Sequence, residues 1–132
     1  MPDVNYLAVV LAALSAFVLG GLWYSPLLFA KRWMAGAKLS EADLAGANMG
    51  LIYGTAFLLS LIAAAVFAMF LGRGMPLGPA VAAGASAGVC WVAASFGISY
   101  LFERRGIAHW LINGGYHAIQ FTLFGLILGL MQ

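Results

Sequence analysis

The chain has 132 residues, of which 64% are apolar and only 8% charged, against roughly 25% charged residues in a soluble domain. That composition excludes an ordinary soluble fold. The formal net charge is +2, and every basic residue lies between apolar blocks, so there is no patch that could follow a phosphate backbone and nucleic acid is not an expected partner.

The apolar residues gather into four blocks, each long enough to cross the ~30 Å hydrocarbon core of a bilayer. The expected fold is all-α: an integral membrane four-helix bundle forming one membrane domain over residues 1–132, with spans near 4–28, 46–71, 79–102 and 107–131. The opening MPDVNY has no basic n-region, and the block after it is too long for a signal-peptide core, so it reads as a retained first span.

Span 1 carries no charge, and its Ala12, Ala16 and Gly20 form a small-residue stripe that lets another helix approach closely. It ends in Trp23-Tyr24-Ser25-Pro26. Two readings stay open there: Tyr24 and Ser25 line a site at the mouth of the bundle, or the rings anchor at the headgroups while Pro26 stops the helix.

From Phe29 to Leu39 the chain is basic and aromatic, with Lys31, Arg32, Trp33 and Lys38, which suits a short interfacial segment on an anionic leaflet. Ser40-Glu41-Ala42-Asp43 reads as a helix start, with a serine cap and acids in the first turn. The second helix is therefore expected to begin near Glu41, project into water, and enter the bilayer near residue 46. Gly46, Gly50 and Gly54 make a GxxxGxxxG ridge in that half; the expectation is helix packing, with a hinge as the alternative.

Gly72 to Gly78 is a turn of breakers. Span 3 follows with Pro79 at its first helical position and a stripe of Ala80, Gly84 and Gly88. Its alanine-rich first half is expected to be the most enclosed part of the bundle, and Cys90, without a disulfide partner in the chain, to be a small buried hydrophobe.

Span 4 organises the chain. Wound at 100° per residue, His109, Asn113, Tyr116, His117 and Gln120 share one face; Gly114, Ala118, Thr122, Gly125 and Gly129 share another; Ile112, Ile119, Leu123, Leu126 and Leu130 make a greasy third. Such a helix has two faces for protein and one for lipid. Counting Lys and Arg puts Lys31, Arg32, Lys38, Arg104 and Arg105 in the first and third connections, against Arg73 in the middle turn. The expectation is a cytoplasmic (inner) membrane protein with both termini on the non-cytoplasmic side.

Leu28-Phe29-Ala30-Lys31-Arg32 echoes Leu101-Phe102-Glu103-Arg104-Arg105, and Asn48-x-Gly50 echoes Asn113-x-Gly115. The echo predicts two parallel helical hairpin repeats. The WYSPLLFAKRW stretch, the small-residue second span, and LFERR followed by Gly-Tyr-His in the last span resemble the family of small bacterial membrane proteins catalogued as domain of unknown function 1761. The resemblance covers essentially the whole chain and implies a four-span bacterial protein; it implies no activity, substrate or catalytic residue.

The two histidines are eight residues apart, about 12 Å along the axis, too far to share one metal at ~2.1 Å bonds. No metal and no cofactor is expected. No nucleophile sits beside a base, and all four acids lie at or beyond the membrane surface, so catalysis is not expected. Two classes remain. One is a structural or regulatory module that packs through its glycine ridges (Gly20, Gly46, Gly50, Gly54, Gly84, Gly88, Gly125, Gly129) against itself, most simply as a two-fold dimer, or against a larger membrane protein. The other is an oligomeric transporter or channel for a small polar solute, with a path along Tyr24, Asn113, Tyr116, His117 and Gln120. His117 is expected to be neutral, turned inward, and hydrogen-bonded to another helix through Tyr24, Ser95 or Ser99.

Overall fold

The computed structural model describes residues 3–132, and among them there is no strand. The helices are α1 (Tyr6–Trp23), α2 (Ala30–Ala37), α3 (Glu41–Ala45), α4 (Met49–Leu71), α5 (Leu77–Ser86), α6 (Ala94–Glu103) and α7 (Ile107–Met131). A π-helical stretch, Ala87–Ala93, joins α5 to α6, so that these form one continuous 27-residue span, Leu77–Glu103. Together with α1, α4 and α7 it gives four helices long and apolar enough to cross a membrane. The protein is a multi-pass, all-α membrane bundle.

Local chemistry sets the helix starts. Asn5 accepts a hydrogen bond from Ala8 N, Asn48 from Leu51 N, and Ser40 from Asp43 N, each occupying an otherwise orphaned first-turn donor. Asp43 returns the bond to the Ser40 backbone N–H at 2.8 Å, completing a capping box. Helices α2 and α6 stop alike: Lys38 (φ 59°) and Arg104 (φ 58°) adopt the left-handed conformation, and the next residues, Leu39 and Arg105, donate back to Met34 O and Tyr100 O.

Several sequence expectations are corrected. The helix that starts at Glu41 does not run on into the second span: it ends at Gly46, and Asn48 caps a new helix, because a glycine followed two residues later by a capping asparagine favours a break over propagation. The first span ends at Trp23, five residues before the expected limit, because the Ser25-Pro26 turn follows at once. Span 3 begins at Leu77, so Pro79 stands third in the helix; its missing N–H still falls among the orphaned donors of the first turn. Cys90 is exposed, not buried, since only the Ala80–Gly84–Gly88 side of its span meets α7. The LFAKR and LFERR echo does not mark equivalent places, because the first lies where α2 begins and the second where α6 ends.

Helix α7 stands in the middle. It packs on α1 along one side, on the third span along the other, and beneath α2, while α4 lies against α1 and touches α7 lightly. The enclosed helix is thus α7, not the alanine-rich third span, which offers one side only. The core is mostly alanine: Ala8, Ala12, Ala13 and Ala16 of α1, Ala64 and Ala68 of α4, and Ala80 of α5 are fully buried around Phe124 and Leu128. Small side chains bring backbones close, and packing then acts through many short dispersion contacts, the main attraction between helices in lipid.

The α5–α7 seam is the tightest place. A Cβ at Gly84 would collide with Phe121 O, one at Gly125 with Ala80 O, and one at Gly88 would lie 2.7 Å from Ala118 Cα. At the end of the bundle where α1 begins and α7 finishes, Gln132 ties three segments together. Its Oε1 accepts from Asn5 N at 3.0 Å, and its Nε2 donates to Ala68 O at 3.0 Å and Gly72 O at 3.1 Å. Arg73 and Asp3 form an ion pair at 2.9 Å across the same end.

Candidate functional site

At the opposite end, where α2 lies over the start of α7, the polar residues of α7 meet tyrosines from two other helices. Asn113 is buried at the centre. Its Oδ1 accepts from Tyr24 Oη at 2.6 Å, and its Nδ2 donates to Tyr100 Oη at 2.8 Å and faces His109 Nε2 at 3.2 Å. One amide thus joins α1, α6 and α7. In this orientation of the amide, with Oδ1 occupied by the Tyr24 hydroxyl, Nδ2 is the donor towards His109, Nε2 accepts and the ring proton sits on Nδ1. That Nδ1 is buried and has no hydrogen-bond partner.

Indole N–H groups, which must find acceptors when buried, complete the frame. Trp23 Nε1 donates to Ile112 O at 2.8 Å, and Trp110 Nε1 donates to Ala93 O at 2.8 Å, the last residue of the π-helical stretch. That stretch stands next to the cluster, where such distortions often mark function. Above the cluster, Arg105 donates to Gly36 O of α2. Trp33 packs edge-on against Tyr24 with centroids 5.6 Å apart.

The other expected site residues lie one to two turns further along α7. Tyr116 Oη donates to Ala16 O of α1 at 3.0 Å, and its ring lies 5.5 Å from Tyr24 and under Gly20, where a Cβ would come within 3.3 Å of its hydroxyl. His117 pairs with Gln120 of its own helix at 2.6 Å and stacks flat on Phe96, 4.9 Å between centroids and 9° between planes. The expected interhelical bond to Tyr24, Ser95 or Ser99 is not made, because Gln120 is one turn away on the same face and α6 presents Phe96 while Ser95 and Ser99 are exposed. Tyr24, Asn113 and Tyr116 are brought together; His117 and Gln120 form a separate pair joined to them by the Tyr116–His117 ring contact at 4.9 Å.

The glycines divide. Gly84, Gly88, Gly125 and Gly129 lie in the seam between the third span and α7, and Gly20 lies on Tyr116, whereas Gly46 and Gly50 meet only their own local turn and Gly54 meets nothing within 4 Å. Sequence reasoning passed over Tyr100, and it placed His109 on the polar face without assigning it to the site. The spacing of His109 and Asn113, one turn apart, was a readable signal; nothing in the sequence singles out Tyr100. No group of three or more His, Cys, Asp or Glu able to hold a metal is found among the described residues. The open grooves are apolar: one of about 700 Å³ between α1 and α7, lined by Leu11, Leu14, Val18, Leu123 and Ile127 among others, and one of about 350 Å³ beside Phe70, Cys90 and Trp91.

These features define a class first: a small polytopic membrane protein with a closed polar cluster at one end. The family described as "Protein of unknown function (DUF1761)" matches residues 7–129, and the chain belongs to that family. No curated protein and no solved structure matches it.

Proposed function

We propose that the protein is a non-catalytic, self-associating membrane module, structural or regulatory, most simply a two-fold dimer in a bacterial cytoplasmic membrane, with both termini on the non-cytoplasmic side. One observation carries this. The first half of α4 reaches α1 through Tyr53 and Phe57 on Phe17, yet Leu51, Ile52, Leu58 and Leu59 are exposed and Gly50 and Gly54 meet no other helix. A glycine ridge serves close helix approach, and among the described residues this one has no helix to approach.

The competing reading, a path for a small polar solute along α7, is disfavoured by the hydrogen bonding. Tyr24 bonds Asn113, Asn113 bonds Tyr100 and Tyr116 bonds Ala16 O, each across two helices, which is the arrangement of interhelical glue, while His117 is paired with Gln120 of its own helix. The mass of the purified protein in nanodiscs, across loading ratios, tests the proposal. A dimer that Gly54→Leu converts to monomer supports it, and a strictly monomeric wild type overturns it. Flux into proteoliposomes that His117→Ala abolishes without loss of thermal stability would establish the path instead.

A further inference from the structure

We propose that His109 is a proton-binding site that latches α2 onto the bundle: the neutral ring seats Gly36, and the protonated ring releases α2. The inference rests on the way His109, Asn113, Gly36 and Arg105 are placed together, and it stands apart from self-association.

His109 is 6% exposed, in the first turn of α7. Its ring lies directly against α2. A Cβ at Gly36 would collide with Nδ1 and lie 2.8 Å from the His109 Cβ and Cγ, so α2 seats there because that residue is glycine. Helix α2 is held by the Arg105 bond to Gly36 O, the Trp33 contact on Tyr24, the tilted Phe29–Trp23 pair just before the helix, and its half-buried Met34 and Ala37. Tyr100 of α6 lies 5.0 Å from it between centroids. Tyr24 of α1 reaches it through Asn113. Arg105 and Glu103, in and before the α6–α7 connection, carry the charges beside the start of α7 and pair with each other at 3.6 Å. Helix α2 presents backbone at Gly36 while its own Lys31 and Arg32 are exposed.

A proton added to the ring goes to Nε2, since Nδ1 already carries one. The new N–H would then point at Asn113 Nδ2, donor against donor. The amide resolves this by turning over: Oδ1 accepts from Nε2–H and from the Tyr100 hydroxyl, and Nδ2 donates to the Tyr24 hydroxyl. No hydrogen bond is lost. The hydroxyl proton without an acceptor simply passes from Tyr100, which only accepts in the present arrangement, to Tyr24, under Trp33 of α2.

Nδ1 cannot be relieved in this way. Its N–H has no acceptor while neutral, and on protonation it carries part of a full positive charge, buried, on the side of the cluster where the Arg105 guanidinium bonds to Gly36. A buried unpaired charge is far costlier than a buried unpaired N–H. Water is the available partner, and α2 is the element that covers the ring. The docked arrangement therefore belongs to the neutral ring and is lost as pH falls through the titration of His109.

The test uses the full chain in nanodiscs with Cys90→Ser as background and a nitroxide on Arg32→Cys, read by electron paramagnetic resonance from pH 8 to pH 5. The expected result is a mobile fraction that rises several-fold towards acid, following the side-chain ¹⁵N titration of His109 in the wild type. His109→Gln should abolish the response and His117→Gln should keep it. Should His109→Gln fail to fold, Gly36→Ala provides the second arm: its methyl group should release α2 already at pH 8. Spectra that do not change with pH while His109 titrates overturn the proposal, as does a response that survives His109→Gln, or a Gly36→Ala protein as immobile as its parent.

Discussion

Gly84 and Gly88 on the third span and Gly50 and Gly54 on α4 share the same four-residue spacing, and the structure puts the two ridges to opposite uses. In the α5–α7 seam a single added Cβ meets backbone; on α4 it meets open space or its own cap. Spacing therefore shows that a helix can approach closely and says nothing about which helix comes. What decides is the rest of the helix: the seam is backed by the buried Ala80, Gly125, Phe124 and Leu128, while the α4 ridge is flanked by exposed Leu51, Ile52 and Leu58.

The largest effect expected is at the seam. Gly84→Leu forces a side chain onto Phe121 O, and because backbone rather than a flexible side-chain end must move, the loss should reach about 3 kcal/mol or more, seen as failure to fold or a collapsed unfolding midpoint in detergent. Next comes the polar cluster that braces the same helix from its other face. Asn113→Leu removes the bonds to Tyr24 and Tyr100 and leaves His109 Nε2 without a donor, and should cost about 1–2 kcal/mol, since interhelical hydrogen bonds average only about 0.6 kcal/mol and buried unpaired groups add to the loss.

On the open ridge the expectation reverses. Gly54→Leu should leave unfolding of the monomer within about 0.5 kcal/mol of wild type while changing the mass in nanodiscs; a seam-like loss of stability there would show that α4 closes onto the bundle. The smallest effect is local. Asp43 is held below its ordinary value by the backbone N–H of Ser40 and then by its hydroxyl, so the capping box is intact above the ordinary carboxylate range and is lost as pH falls through the lowered value. Lower amide protection factors across Glu41–Ala45 in acid, with those of α4 unaffected, are the outcome expected if the break at Gly46 isolates the two helices.

How far the site could be read in advance follows from where its residues lie. Asn113, Tyr116, His117 and Gln120 were visible because helical phase is a local property of α7. Tyr24 was visible as an aromatic at a helix end, but its bond to Asn113 spans 89 residues and no local pattern encodes it. His117 shows the limit of phase: it shares the polar face, yet its partner is Gln120 of its own helix and its neighbour a phenylalanine ring.

The sequence by itself determined the class of the molecule, because hydrophobic block length and the scarcity of charge are set by the bilayer and need no knowledge of neighbours. It determined the Ser40 capping box and the polar, small and greasy faces of α7 for the same reason, as these depend on residues within two turns. Only the tertiary structure decided that α7 is the enclosed helix, that the α5–α7 ridge closes while the α4 ridge stays open, that Tyr100 and His109 complete the cluster, and that α2 lies over it. Each of these depends on which helices come into contact, and in lipid that choice rests on shape and a few hydrogen bonds between distant segments, with no hydrophobic gradient along the chain to announce it.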